Sequence, residues 1–91
     1  MLANQFNLNV YPNPFNTDAE VSFSLNKAST VRVTVYDMLG RNVSSINKGK
    51  LNAGNQSISL SEMGFNGAAG AYMMNIQIDD VVIHKQIIQQ K

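Results

Sequence analysis

Val31-Arg32-Val33-Thr34-Val35-Tyr36-Asp37-Met38-Leu39-Gly40-Arg41 reads as a strand running into a hairpin turn. Val31, Val33 and Val35 recur at every second residue, the period that sets one face of a pleated strand on a core, and their β-branched side chains suit that surface. Arg32, Thr34 and Tyr36 then point outward or towards a partner sheet. The alternation stops at Asp37, and Gly40 supplies the positive φ that a residue with a Cβ resists. Working outward, Val21, Phe23 and Leu25 alternate with Ser22, Ser24 and Asn26 in the same way. Further strands read at residues 7–11, 42–47, 56–60, 72–78 and 81–89, which makes seven. Asp79-Asp80 forms a tight turn before the last of them, and residues 61–64 form a single helical turn. Short strands at turn spacings of about ten residues indicate an all-β sandwich with no crossover helices.

The chain of 91 residues is one domain, long enough to hide about 65% of its unfolded surface. With 44% hydrophobic and 14% charged residues it is too apolar for a disordered segment. A net charge of +1 from scattered Lys and Arg provides no basic stripe to neutralise phosphates, so nucleic acid is not an expected partner. The absence of cysteine removes disulfides and thiolate chemistry, and stability must come from packing. The longest apolar runs, such as Val81-Val82-Ile83, fall far short of the ~20 residues that span a bilayer, so no membrane insertion is expected. Met1-Leu2-Ala3-Asn4 lacks the charged and apolar regions of a secretory signal, and residues 1–5 read as residual linker or an artificial start.

Catalytic groups are sparse. His84 is the sole histidine and lies in an alternating run with Val82, Gln86 and Ile88, where it reads as a structural residue, half-buried or exposed. No serine sits in a strand-to-helix elbow, so the chain reads as a non-enzyme. Asp37, Asp79 and Asp80 lack the spacing of a calcium loop and read as turn formers; no metal or cofactor is expected. Tyr11, Phe15, Phe23, Tyr36, Phe65 and Tyr72 read as core or loop-plug residues in preference to a sugar-stacking platform.

Tyr11-Pro12-Asn13-Pro14-Phe15 cannot continue a central strand, because its prolines fix φ and remove two backbone donors. It reads as a rigid corner with Phe15 folded back as a plug. At the other end, Ile83, Lys85, Ile87 and Ile88 lie on a terminal strand whose edge would carry unpaired backbone groups unless the fold covers it. Lys85 then acts as an edge charge against aggregation.

In order and spacing, these two segments together with residues 35–41, Leu51-Asn52-Ala53-Gly54 and Gly70-Ala71-Tyr72 resemble the type A C-terminal sorting domain of the type IX secretion system, over residues 6–91. Gly40, Arg41, Gly70, Tyr72 and Lys85 match position by position, with Tyr11, Phe15 and Gly54 in the same motifs. The chain departs from the pattern at Gln89-Gln90-Lys91, where members often carry a basic residue directly after the apolar run. The resemblance implies an Ig-like antiparallel sandwich that directs a fused upstream cargo through the periplasm to the type IX translocon and its shuttle components. It further implies removal by a cell-surface sortase, leaving cargo at the surface or outside the cell. Lys85, Ile87, Ile88, Pro12, Asn13 and Pro14 are its recognition candidates. The alternative is an Ig-like spacer or carbohydrate-binding adhesion module.

Overall fold

The computed structural model describes residues 6–90; the linker expected at residues 1–5, and Lys91, lie outside the described residues. Seven strands follow in order: β1 (Asn9–Tyr11), β2 (Glu20–Leu25), β3 (Ser29–Asp37), β4 (Asn42–Leu51), β5 (Gly54–Ser59), β6 (Gly70–Ile78) and β7 (Val81–Gln89). They form two antiparallel sheets, β1-β2-β5 and β4-β3-β6-β7. The fold is an Ig-like β-sandwich, as the strand pattern and the resemblance led one to expect.

Alternation decides what lies between the sheets. β3 buries Val31, Val33 and Val35, while β2 buries Val21, Phe23 and Leu25 opposite them. β6 adds Tyr72, Met74, Ile76 and Ile78, and β7 adds Ile83 and Ile87. These side chains form one cluster with Val10, Phe15, Ile58 and Leu60. Since area buried scales with hydrophobic gain, that single cluster is the main source of stability in a chain without disulfides.

Four strands differ in their limits from the sequence reading: β6 begins earlier, at Gly70 paired with Gln89, and the other three differ for backbone reasons. β1 begins at Asn9 because Asn7 takes φ 52° and leaves the extended region. β4 runs on to Leu51 because its register shifts between Val31 and Arg32, with Gly49 at φ 66° completing a bulge that lets pairing continue. β5 starts at Gly54, paired with Leu25, and ends at Ser59. Leu60 belongs instead to a turn, its carbonyl accepting from the N–H groups of Met63 and Phe65. Gly64 N–H likewise donates to Ser61 O, so residues 61–64 are consecutive turns and not a helical segment.

Candidate functional site

The strand pairing sorts the motif residues between two ends of a body 36 Å long. Asp37 pairs with Tyr72 and Gly70 with Gln89, so the β3–β4 hairpin, the start of β6 and the finish of β7 share one end. Ile78 pairs with Val81, Ser29 with Leu51 and Leu25 with Gly54, which places those turns at the other. Phe6 lies at this second end, where its carbonyl accepts from Ser24 N–H. Phe15, Gly40, Arg41, Gly70, Tyr72, Ile87 and Ile88 therefore gather at the first end, and Gly54 does not. Tyr11 is 72% exposed on the outer face of the smaller sheet. Its expected core or plug role is corrected by geometry: β1 alternates, and Val10 takes the inward position.

The Pro-Asn-Pro-Phe corner closes on the last strand. In an antiparallel pair alternate residues turn both backbone groups away from the neighbour, and on β7 these are the even-numbered ones. Asn13 meets them with its side-chain amide, Nδ2 donating to Gln86 O at 3.0 Å and Oδ1 accepting from Ile88 N–H at 3.1 Å. Phe15 continues with its backbone, donating to Ile88 O at 2.9 Å and accepting from Gln90 N–H at 2.9 Å. The segment thus acts as a short parallel strand, bridged at Phe15 and Gln89. Between two prolines that lack N–H groups, an Asn side chain supplies the missing peptide-like donor and acceptor.

Phe15 anchors this clasp with 1% of its surface exposed. Its ring meets Phe65 edge-on at 6.0 Å, and Phe65 meets Tyr72 edge-on at 5.1 Å. Tyr72 Oη donates to Ala68 O at 2.5 Å, drawing the preceding loop onto the rings. Gly67 fits there because a Cβ would fall 2.5 Å from Tyr72 Oη and 2.8 Å from Phe65 Cζ.

The hairpin beside it is organised by Asp37. Oδ1 accepts from the N–H groups of Leu39 and Arg41, both at 2.9 Å, and Oδ2 accepts from Arg41 Nε at 2.7 Å. The Arg41 backbone N–H foremost, then the Arg41 guanidinium and the Leu39 N–H, hold the carboxyl below the usual carboxylate range against a raising effect of desolvation. Gly40 closes the turn at φ 86°. The central residues Met38 and Leu39 are left 62% and 80% exposed.

The remaining candidates fall elsewhere. Lys85 is half-buried on the inward side of β7 between Ile83 and Ile87, opposite Met74. His84 is exposed, its Nδ1 2.6 Å from Asn75 Oδ1 on the adjacent strand. Asp79, at φ 52°, accepts from Thr30 N–H and Oγ1 through Oδ1; the Thr30 backbone N–H foremost lowers its pKa. Among the described residues no group of three or more His, Cys, Asp or Glu could hold a metal ion. Among the described residues no helix is long and apolar enough to cross a membrane. Phe15, Phe23 and Tyr72 are buried and Phe65 partly so, which leaves Tyr11 apart from any exposed aromatic cluster.

Two features escaped the sequence reading: the Asn13 amide as a strand surrogate, and the exposed pair at the hairpin tip. Apolar residues in the centre of a turn are the local signal for the second, since such positions favour polar residues. The first has no local signal, because its partners lie more than 70 positions away.

An Ig-like module with most of its motif residues gathered at the end opposite Phe6 is thereby defined. Residues 9–90 match the family described as the secretion system C-terminal sorting domain. The chain belongs to this family of type IX secretion sorting signals, which connects it with cargo fusion and with proteins destined for the cell surface or the exterior. No curated protein matches it.

Proposed function

We propose that this domain carries a fused upstream cargo from the periplasm through the type IX outer-membrane translocon, and that a cell-surface sortase then removes it. The observation that supports this most directly is the family match over residues 9–90. The gathering of motif residues opposite the Phe6 end agrees with it, because a cargo joined ahead of Phe6 would leave that end exposed. Cleavage falls ahead of Phe6: a protease takes an extended, unpaired segment, and among the described residues the backbone is engaged from Phe6 onward. Of the recognition candidates, Pro12, Pro14 and Ile88 offer exposed surface to translocon or shuttle components. Asn13 and Ile87 act by holding the strand in place, and Lys85 acts from the inward side of the edge.

The test uses a fluorescent passenger with an inner-membrane export signal, fused to the domain in a cell with a working type IX system. Surface delivery that depends on both the domain and the translocon is the expected result. A passenger delivered equally well without the domain, or held in the periplasm with it, would refute the proposal. Deleting residues 83–91 is a poor probe, since Ile87 is fully buried and its loss would damage the fold. Point changes at exposed positions separate recognition from folding.

A further inference from the structure

Between the β3–β4 hairpin and the loop ahead of β6 runs a groove of ≈ 460 Å³, with Met38, Leu39, Val43, Ala68, Ala69 and Ala71 among its lining residues. Ile88, 41% exposed, lies directly across from Ala71 and extends the apolar surface to the terminal strand. Nothing in the turn requires the two large side chains at the tip. Asp37, Gly40 and Arg41 supply its hydrogen bonds and its positive φ, while Met38 and Leu39 stand in water.

We propose that this groove is the docking surface for an uncharged, apolar face of a type IX machinery protein, which seats one or two apolar side chains in it while the terminal strand remains clasped. The inference rests on the sorting function proposed above and names the chemistry of the partner.

Three observations select that occupant. First, the charged residues lining the groove are Asp37 and Arg41, paired with each other at 2.7 Å, so a charged partner finds no complement. Membrane surfaces are ordinarily gripped through unpaired basic residues around an apolar face, and among the described residues the lining offers no cation besides the paired Arg41. Second, strand addition to β7 is closed at this end, because Asn13 and Phe15 already occupy its outward backbone groups from Gln86 O to Gln90 N–H. What β7 offers for recognition there is side-chain surface. Third, the groove lies at the end away from Phe6, so an attached cargo does not cover it. Its volume lies within the ~300–1,000 Å³ range of pockets that enclose compact apolar groups.

The experiment compares passenger fusions carrying Leu39→Glu, Met38→Glu, Leu39→Met and, as a control on the same sheet outside the groove, Ser45→Glu. All three positions are exposed, so melting temperatures of the purified domains should stay close to the parent. Placing a carboxylate in a desolvated apolar contact should lower delivery about tenfold or more for Leu39→Glu and Met38→Glu. Leu39→Met and Ser45→Glu should be delivered as the parent is. Parental delivery of both Glu variants overturns the groove as a docking site while leaving the sorting function intact. Failure of the unsubstituted fusion to reach the surface defeats the sorting function itself. Light scattering and sedimentation with phosphatidylethanolamine–phosphatidylglycerol vesicles complete the test. Self-association or vesicle binding that Leu39→Glu abolishes would assign the groove to a second copy or to lipid, and so overturn the proposal.

Discussion

Truncating Phe15 to Ala tests whether the corner is held by its plug. The ring is almost fully buried, and such removals from a core cost about 3–5 kcal/mol through lost transfer energy and an unfilled cavity. Loss of the edge-on contact with Phe65 adds about 0.5–1.5 kcal/mol. Against a total of roughly 5–15 kcal/mol for a small domain, that is a large fraction of the stability. At about 4–8 °C per kcal/mol for a domain of this size, the melting temperature should fall by roughly 15–50 °C. Urea unfolding followed by circular dichroism measures the loss, with an unchanged m-value showing that both states remain comparable. Alanine keeps the backbone N–H and C=O that hold Ile88 and Gln90, so only the anchor is removed. Amide exchange at Ile88 and Gln90 should consequently quicken more than at Ile76 in the sheet centre. Tyr11→Ala, at an exposed position four residues earlier, should stay within about 0.5 kcal/mol of the parent. A loss below about 1 kcal/mol for Phe15→Ala, or an equal loss for Tyr11→Ala, would refute the assignment of Phe15 as the anchor.

Gly67→Ala should cost about 1–3 kcal/mol by the same assay, because the added methyl meets Tyr72 Oη and Phe65 Cζ where both rings are already fixed. Asn13→Ala removes two hydrogen bonds that water can partly replace, so a loss of about 1 kcal/mol is expected, with faster exchange at the Ile88 amide. Acid should destabilise the fold through Asp37, Glu62 and Asp79. Their folded pKa values lie below the ordinary 3.8, 4.5 and 3.8, held down chiefly by the Arg41 backbone N–H, the Lys48 ammonium and the Thr30 backbone N–H respectively. A depressed folded value means that the contribution is complete above the unfolded pKa and disappears as pH falls through the folded one. Melting temperature should therefore hold from pH 7 to about 5 and decline below about 4. Asp37→Asn, Glu62→Gln and Asp79→Asn together should flatten that decline, and an unaltered slope would show that these three groups do not cause it.

The strands were legible because a period of two is written locally. Val31, Val33 and Val35 face the core wherever β3 is placed in the sheet, so no knowledge of neighbours was needed. Boundaries were less legible where backbone geometry overrode the pattern. Asn7 and Gly49 adopt positive φ in positions that apolar alternation does not mark. The site was legible only as separate motifs. Their meeting depends on β3 and β7 flanking β6, and on a corner after β1 reaching an edge strand of the opposite sheet. Lys85 shows the same division: its alternation with Ile83 and Ile87 is visible in sequence, but its half-burial at a sheet edge is not. An inward-pointing charge on an edge strand discourages a second strand from adding there, because pairing would bury the ammonium further.

The covered and uncovered parts of β7 bear on how the terminal strand can be read. Among the described residues, nothing pairs with the outward backbone groups of Val82 and His84, or with Gln86 N–H. That stretch, from Val82 to Gln86, matches only a short strand of about 5 residues and begins beside the Asp79-Asp80 turn, at the Phe6 end. Pairing with an incoming strand along the whole of β7 would require Asn13 to release Gln86 and Ile88 first. Asn13→Ala thus discriminates two modes of recognition that predict opposite outcomes. If the machinery adds a strand to β7, loosening the clasp should raise delivery; if it grips the folded end, the same change should lower delivery as Ile88 loses its fixed place beside Ala71. The groove proposal requires the second outcome, and higher delivery from Asn13→Ala would count directly against it.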